Sequence, residues 1–410
     1  MKQLLTILLF LFAAQGFSRT IPVGAGEVVK TVREAFALAT AGDTVLLKKG
    51  IYKEGNLQLT KSVFFIGEEG AVLDGENKNE ILTISGQSIV VKGIRFQNAG
   101  YSSMNDYASI KLVDASFVLV ENNVIDHSYF AIHIANSTYS VVRNNTIKGV
   151  AVNEQSSGNG IHLWKCENIL VKGNTIQGHR DGIYFEFVTH SIIEDNNSFN
   201  NIRYGLHFMF SNNNGYIGNT FTGNGAGVAV MYSHHVLMHS NHFEQNWGAN
   251  AYGLLLKEIN DSQIISNTFD TNTVGVLMET TNRIDVSGND FRNNGWALRI
   301  QASCDDNLMQ QNNFTANTFD VATNGSLTLN RFVNNYWDKY EGYDMTRDGL
   351  GDVPYHPVSM YSMVIEQNPN AVILMRSFMV TLLDKAEKAI PSLTPENLVD
   401  EAPVMKMIRR

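Results

Sequence analysis

The stretch GVLMETTNRIDVSGNDF, Gly275–Phe291, contains the pattern that decides the fold. After the opening glycine come two apolar residues at alternate positions, Val276 and Met278, and a second such pair follows at Ile284 and Val286. Alternation over so few residues predicts short β-strands rather than a helix. The polar residues between the two pairs predict a turn. The stretch is therefore expected to form two short strands with a turn between them.

The end of this stretch, an asparagine two residues before a phenylalanine, recurs through the chain, with isoleucine in place of phenylalanine in some copies. A spacing near 22 residues, with local insertions, separates ten copies led by Asn123, Asn145, Asn174, Asn197, Asn219, Asn241, Asn267, Asn289, Asn312 and Asn330. A period of this length is typical of a solenoid whose coils stack on one another. We expect the asparagines to form an internal ladder of hydrogen bonds. The sequence thus predicts an all-β fold, a right-handed parallel β-helix.

The two ends of the chain differ from the repeat. Lys2 precedes an apolar run and then small residues, which is typical of a secretory signal peptide, with a membrane anchor as the alternative. The following VVKTVREAFALATAGD predicts a helix that covers the open first coil. The predicted segments are a signal peptide (1–18), an N-terminal helical cap (19–43), the parallel β-helix (44–357) and a C-terminal helix and arm (358–410).

The C-terminal arm combines a predicted helix, AVILMRSFMVTLLDKAEKAI, with a proline-punctuated tail ending in VMKMIRR. Arg376 and Asp384 interrupt the helix and argue against a membrane span. Two interpretations stay open: a helix packed on the last coil with a disordered end, or a docking device for a membrane complex. The candidate docking residues are Met375, Phe378, Met379, Leu382, Met405 and Met407.

Composition limits the classes of partner. The 410 residues carry a net charge of −9, which argues against nucleic acid because phosphate binding needs clustered lysine and arginine. Cys166 and Cys304 are the two cysteines of the chain, and the repeat places them about six coils apart. At ~4.8 Å per coil they are too distant for a disulfide, so both are expected to be free thiols.

One face of the predicted solenoid has an unusual composition. In each coil the second and fourth residues after the start should point outward, because side chains alternate along a strand. Between residues 133 and 231 these positions carry imidazole, aromatic and thioether groups. Outward aromatic and methionine side chains predict an interaction face. Its candidate residues are His133, His162, Trp164, Tyr184 and Glu186.

The same face carries candidate metal ligands. Thioether and imidazole groups suit Cu(I), whereas the hard oxygen ligands that calcium prefers are missing from this face. A transient Cu(I) site and an ordinary interaction surface are the two interpretations left open. The candidate copper ligands are His207, Met209, Met231, His234 and His235.

Catalysis is the alternative to binding. Glycoside hydrolysis needs two carboxylates placed around one bond. The outward positions offer Glu186 with Asp181 at the preceding turn, and little else nearby. We therefore expect a non-catalytic protein. The alternative is a secreted carbohydrate-binding or polysaccharide-cleaving β-helix protein.

The chain as a whole resembles the NosD family. The resemblance is carried by the AFALATAGDTVLLKKGIY opening, the asparagine-led coils, the segment NNYWDKYEGYD…DGLGDVPYHP and the methionine-bearing arm. It covers almost the whole chain. The repeat alone is shared with carbohydrate-active β-helices, and the NNYWD…GDVPY segment together with the arm is more specific.

The resemblance implies a function. NosD proteins are the periplasmic part of an ABC-type complex, with a permease and an ATPase, that helps assemble the copper centres of nitrous oxide reductase. A lipoprotein copper chaperone supplies Cu(I) to that complex. By this resemblance the protein would be periplasmic and peripheral to the inner membrane through its transporter partners. The arm 371–410 would contact the permease.

Overall fold

The computed structural model describes residues 18–101, 106–325, 329–374, 377–389 and 398–409. The protein is all-β, and its strands pair in parallel as the successive coils of a solenoid. It consists of two compact units, Met1–Ile147 and Lys148–Arg410. The prediction of a parallel β-helix is confirmed, whereas the hand of the coil stays a prediction. The predicted signal peptide lies outside the described residues except for Ser18.

The first unit contains three parallel sheets, which we number in the order in which one coil passes through them. The first sheet has strands Leu57–Leu59, Leu82–Ile84, Ala108–Val113 and Phe130–Ala135. The second has Thr20–Val23, Thr44–Leu47, Phe64–Gly67, Val90–Lys92, Leu119–Glu121 and Val141–Arg143. The third has Gly50–Tyr52, Ala71–Asp74, Arg95–Gln97, Val124–Asp126 and Thr146–Lys148.

The second unit repeats this arrangement. Its first sheet has strands Ile161–Trp164, Asp181–Glu186, Tyr204–Met209, Ala226–Met231, Leu254–Lys257, Val274–Glu279, Trp296–Ile300 and Phe319–Thr323. Its second has Leu170–Lys172, Ile192–Glu194, Gly215–Ile217, Leu237–His239, Asn260–Ile265, Asn282–Ser287, Leu308–Gln310 and Arg331–Val333. Its third has Thr175–Gln177, Asn197–Phe199, Thr220–Thr222, His242–Glu244, Thr268–Asp270, Asp290–Arg292, Asn313–Thr315 and Tyr336–Trp337.

Helix α1 (Val32–Leu38) forms in the segment for which the sequence predicts a helix. The Thr31 side chain caps it by accepting a hydrogen bond from the Glu34 amide, 3.2 Å away. Its buried face packs through Phe36 against Phe65, with ring centroids 5.0 Å apart. The parallel pairing begins earlier than the predicted start at residue 44, because strand Thr20–Val23 already pairs with Thr44–Leu47. That α1 acts as an end cap stays a prediction.

An asparagine ladder runs along the interior of the second unit. Each rung receives hydrogen bonds from the amide and side chain of the rung before it, as Asn241 does from Asn219 at 2.9 and 3.0 Å. Every rung is 1% exposed or less, so the ladder satisfies polar groups that water cannot reach. We call these residues the asparagine ladder: Asn174, Asn196, Asn219, Asn241, Asn267, Asn289, Asn312 and Asn335.

Two predicted rungs are wrong. Asn196 occupies the rung expected for Asn197, because the strand register pairs Thr175 with Asn197 and leaves Asn197 exposed. Asn330 bonds instead to Asn307 in a separate pair at the second sheet, and Asn335 is the last rung. In both cases a neighbouring asparagine imitates the spacing of the signature.

From Asn219 onward, the aromatic residue two positions after each rung builds the core. From Phe221 onward six rings stack almost face to face, with centroids between 4.1 and 5.5 Å apart. Aromatic pairs of this kind stabilise a core beyond their buried area. The members are Phe221, Phe243, Phe269, Phe291, Phe314 and Trp337.

The C-terminal part of the second unit contains two α-helices, α2 (Met360–Gln367) and α3 (Phe378–Ala389), and a 3₁₀ helix, Pro369–Leu374. The sequence predicts α3 but not α2. The Arg299 guanidinium forms two hydrogen bonds of 2.8 Å with the Glu366 carboxylate, which hold α2 on the first sheet. No helix within the described ranges has the length and hydrophobicity that a membrane span requires.

The chain returns to the last coil after α3. The fully buried Asp400 carboxylate accepts hydrogen bonds from the Asn335 amide and side chain at 2.9 and 3.1 Å, and from the Trp337 indole at 3.1 Å. Asp400 thus takes the place that the next asparagine would occupy in the ladder. Residues 398–409 are therefore packed on the solenoid rather than forming a free tail.

Candidate functional site

The strand register places the predicted outward columns as expected within the second unit. His162 pairs with Tyr184 and Tyr184 with His207, while Met209 pairs with Met231 one coil further on. All of these residues lie on first-sheet strands. We call the following residues the His/Met face: His162, Trp164, Tyr184, Glu186, His207, Met209 and Met231.

His133 belongs to the first unit and is described separately. Its register partner there is Lys111, and its ring lies 5.4 Å from that of Phe130. The side chain is 6% exposed, and burial lowers its pKa to about 4. His133 is therefore neutral at physiological pH.

The His/Met face points outward from the coil, yet its centre is not open to solvent. Tyr184 is 9% exposed and His207 5%. The rings contact one another edge to face, with centroids 4.7 Å apart for His162 and Tyr184 and 5.0 Å for Tyr184 and His207. Tyr204 lies 4.9 Å from the His207 ring. The alternation along the strands predicts that these side chains point outward, but it does not predict that neighbouring side chains shield them from solvent.

A buried ion cluster lies beside His207. The Arg203 guanidinium binds both oxygens of the Asp181 carboxylate, with Nε at 2.8 Å and Nη2 closer. Arg180 Nε lies 3.7 Å from the same carboxylate. Burial raises the pKa of Asp181, but the interactions with His207 and Arg203 outweigh it and leave the pKa below the usual value. Asp181 is thus a paired anion rather than a proton donor for glycoside cleavage.

His207 presents one nitrogen to this cluster. Its Nδ1 lies 3.4 Å from Arg203 Nη2 and 3.9 Å from Asp181 Oδ2. The shorter distance is to a donor, so we assign Nδ1 as the acceptor in this state. Nε2, on the other side of the ring, is buried and has no hydrogen-bond partner among the described residues. A buried nitrogen without a hydrogen-bond partner destabilises the folded protein. Nε2 is therefore a candidate atom for binding a metal ion.

Two thioethers lie near this ring. The Tyr184 hydroxyl donates a hydrogen bond to Met209 Sδ at 3.5 Å, which connects Met209 to the His column. Met231 packs against a buried cluster that includes Ala229, the register partner of His207, and Tyr252. Both methionines are half-buried. The face therefore brings one imidazole and two polarisable sulfurs onto two adjacent coils.

The five predicted copper ligands divide into two groups. His234 and His235 are exposed in the turn that leads to the second sheet, where His234 bridges to Asn260. Their Nδ1 atoms lie 2.7 Å apart, so the two rings share one proton in a hydrogen bond. In the described parts of the chain, no three His, Cys, Asp or Glu side chains come together as a metal site. A copper site on the face would therefore depend on methionine.

The remaining face residues lie at the edge of the cluster. Trp164 is the register partner of Glu186, and Glu186 that of Met209. Lys165 Nζ lies 4.3 Å from the centre of the Trp164 ring, a cation–π contact. Trp164 and Glu186 are both half-buried.

The sequence reasoning missed Arg203, Tyr204 and Tyr252, which cover the face. All three precede or open first-sheet strands, outside the columns counted from the start of each coil. A signal for Tyr252 exists, because Asn241 and Asn267 are 26 residues apart and the usual spacing is 22. An insertion before a strand can place an additional side chain over the sheet.

The predicted docking residues show mixed exposure. Phe378 is 80% exposed, Met379 57% and Leu382 49%, so α3 presents an apolar surface. Met407 is 51% exposed and Met405 half-buried on the segment that returns to the last coil. Met375 lies outside the described residues. Cys166 and Cys304 are both buried thiols.

The protein is a parallel β-solenoid that carries a partly covered column of imidazole, aromatic and thioether side chains. A family model described as "Periplasmic copper-binding protein (NosD)" matches residues 144–346. The probable ABC transporter binding protein NosD of Pseudomonas aeruginosa is 29% identical over 404 residues, with 86% of each chain covered. A protein of the same name from Stutzerimonas stutzeri is 30% identical over 113 residues, 27% of this chain and 26% of that relative. The chain belongs to the NosD family.

Solved structures share the fold. The catalytic unit of a GH87 α-1,3-glucanase from Streptomyces thermodiastaticus superposes with a TM-score of 0.59 at 13% identity, covering 79% of this chain and 66% of that one. The periplasmic alginate epimerase AlgG gives a TM-score of 0.50 at 13% identity, with 72% and 76% covered. At this identity the likeness concerns the fold alone.

Proposed function

We propose that this protein is a periplasmic accessory protein of an ABC-type complex, and that it holds Cu(I) transiently on the His/Met face as cargo. The family description and the names of the relatives support the periplasmic, copper-binding and transporter parts of the proposal. The observation that carries it is the placement of Met209 and Met231 on adjacent coils beside His207, whose Nε2 has no partner among the described residues.

The chemistry of the face fits a soft cation. Imidazole and thioether groups are ligands that Cu(I) prefers. The Asp181 carboxylate lies behind His207 Nδ1, at 3.9 Å, as carboxylates often do behind metal-binding imidazoles. If the ring proton moved from Nε2 to Nδ1, the Nδ1–H group would face the Asp181 carboxylate. The lone pair of Nε2 would then be free to bind the metal. Asp181 is then a positioning residue for His207.

The destination of the copper is the finer part of the proposal. The resemblance to NosD proteins supports delivery from a lipoprotein chaperone towards the copper centres of nitrous oxide reductase. The expected result in cells is a copper-poor reductase when His207→Ala replaces the native protein. A reductase with a full copper content in that strain would contradict this role.

The docking part of the proposal concerns α3 and the 3₁₀ helix before it. Ile373 is 88% exposed and Phe378 80%, and exposed apolar groups of this size suit a contact with another protein. We place the permease contact here. The exposed methionine of the returning segment, Met407, would extend it.

Metal titration tests the copper part. Competition against a Cu(I) chelator is expected to give one bound Cu(I) for the native protein. His207→Ala and the double variant Met209→Leu/Met231→Leu should each weaken binding by at least about tenfold. Met345→Leu is the matched control, because Met345 is 74% exposed and lies away from the face. Equal affinity for the native protein and the face variants would overturn the site, and the double variant His234→Ala/His235→Ala would then be tested.

Co-purification tests the docking part. The native protein is expected to bring down the permease and ATPase subunits from detergent-solubilised membranes. Phe378→Asp/Met379→Asp should abolish this, and Val152→Asp, at a position that is 85% exposed, should not. Deleting the arm is a less clean test, because it also removes Asp400 from the last coil. Unchanged co-purification of the α3 variant would contradict the docking surface.

A further inference from the structure

The cover over His207 consists of two tyrosines in one register column. Tyr204 pairs with Ala226, and the Gly227 amide bonds to the Tyr252 carbonyl, which places Tyr252 next in the column. The Ala226 side chain is a single methyl group, so the two tyrosines meet across it. Their ring centroids are 6.4 Å apart, and the Tyr252 hydroxyl donates a hydrogen bond of 3.3 Å to the Tyr204 hydroxyl.

Tyr204 connects this pair to the ligand atom. Its ring lies 4.9 Å from His207, and the Arg203 guanidinium lies 4.9 Å from the centre of the same ring. In the next coil His207 faces Ala229, which offers no polar atom. Tyr204, which Tyr252 holds through the hydroxyl hydrogen bond, therefore covers the His207 ring on this side.

Tyr252 sits at the end of the insertion found between Asn241 and Asn267. The connection from residue 245 to residue 253 belongs to no strand, and Trp247 within it is 56% exposed. Its middle part, residues 247–250, is exposed and carries a backbone hydrogen bond of 3.2 Å from Ala251 to Gly248, whereas its ends are held on the neighbouring coils by bonds such as Gly253 to Val274 at 2.7 Å. A short, exposed connection of this kind opens locally at less cost than the coils that it joins.

We propose that Tyr204 and Tyr252 form a gate over His207, with Tyr252 holding Tyr204 in the closed position. Movement of the exposed 247–250 segment displaces the Tyr252 side chain, frees the Tyr204 ring and exposes Nε2 together with Met231, which packs in the same cluster as Tyr252. The gate gives a soft cation access to the ligands when open and shields them when closed. This role rests on the proposed function, whereas the gate itself is a property of the protein without metal.

Hydrogen–deuterium exchange at the imidazole C2 position tests the gate without copper. Mass spectrometry of the native protein is expected to show exchange at His207 at least roughly tenfold slower than at the exposed His234. His179, which is 2% exposed in the same unit and has no part in the gate, reports on global opening. An exchange rate at His207 equal to that of His234 would overturn the gate.

Two substitutions at Tyr252 distinguish the effect of its hydroxyl hydrogen bond from the effect of its aromatic ring. Tyr252→Phe keeps the packing but removes the bond to Tyr204, and should speed exchange at His207 roughly fivefold, as expected for one hydrogen bond. Tyr252→Ala should speed it further, while His179 stays unchanged in both variants. Unaltered exchange at His207 in both variants would also overturn the gate. Tyr252→Phe covers the case in which the alanine variant fails to fold.

Ag(I), used as a stable substitute for Cu(I), distinguishes the gate from the proposed function. If both hold, Tyr252→Phe speeds Ag(I) binding by about the same factor as it speeds exchange. If exchange accelerates and no Ag(I) binds on the face, the gate stands and the copper proposal fails. If Ag(I) binds on the face at one rate in all variants, the copper proposal stands and the gate fails.

Discussion

The asparagine ladder and the His/Met face are both columns of residues in register with a buried polar centre, and they differ in what their polar atoms contact. Asn241 accepts two hydrogen bonds from the rung before it and donates to Asn267 and to the Tyr216 carbonyl. His207 Nε2 has no such partner among the described residues. A column whose members satisfy one another builds the fold, whereas a buried column with an unsatisfied ligand atom is a candidate for binding.

Removing one rung is the strongest test of this difference. Asn241→Ala removes the acceptor of the Asn219 amide and side chain, the side-chain hydrogen bond to the Asn267 oxygen and the one to the Tyr216 carbonyl, so we expect the free energy of unfolding to fall by ~4 kcal/mol. Urea unfolding measures it. His242→Ala is the matched control in the same coil, because His242 faces outward and should cost less than ~0.5 kcal/mol. Equal losses would mean that the rung is not structural.

The end of the ladder should respond in the same way. Asp400→Ala removes the acceptor of the Asn335 and Trp337 hydrogen bonds and should lower the free energy of unfolding by ~3 kcal/mol. Asp400→Asn keeps an amide oxygen of the kind the ladder uses, so a smaller loss is expected in the same unfolding experiment. If the alanine variant is as stable as the native protein, residues 398–409 do not close the ladder.

A buried histidine near the start of the ladder predicts a pH dependence. Burial lowers the pKa of His179 to about 4, from 6.5. The unfolded chain therefore takes up a proton below about pH 6.5 that the folded chain refuses, so stability is fully present above that pH and declines towards pH 4. The contribution between pH 7 and pH 5 is ~2 kcal/mol.

Paired unfolding curves isolate this contribution. The difference in unfolding free energy between pH 7 and pH 5 should shrink in His179→Asn, whereas His239→Asn, at a half-buried position on the second sheet, should keep the native slope. A native slope in His179→Asn would show that His179 is protonated in the folded protein.

Much of the fold could be predicted from the sequence because the strand period and the asparagine spacing are local signals. Val276 and Met278 point inward as their alternation indicates, and both are fully buried. The errors at Asn197 and Asn330 arise where a second asparagine lies close by, since one sequence cannot distinguish two rungs until the neighbouring coil sets the register.

The site was predictable in part, for a related reason. Alternation places His207, Met209 and Met231 on one face, and the register agrees. It cannot show that Tyr204 covers His207 and is held by Tyr252, because this depends on the small side chain of Ala226, three coils from the His162 strand. Closeness in sequence also does not show which side chains come together in space. His234 and His235 follow Met231 closely in sequence, yet they lie in the turn after its strand.

The thioethers of the His/Met face should matter little for folding. Met209→Leu/Met231→Leu keeps volume and apolar character, so the free energy of unfolding should change by less than ~1.5 kcal/mol. Urea unfolding checks this expectation. A larger loss would mean that the two sulfurs, like the ladder amides, serve the fold, and the contrast between the two columns would fail.

The most direct test of the central claim is a methyl NMR titration of the native protein with Ag(I), with carbon-13 in the methyl groups of its 14 methionines. Met209→Leu and Met231→Leu assign the two resonances of the face. The account predicts that one equivalent of Ag(I) shifts these two signals and leaves Met345 and Met407 in place. Unshifted Met209 and Met231 signals, with Ag(I) bound at other methionines or not at all, would contradict it.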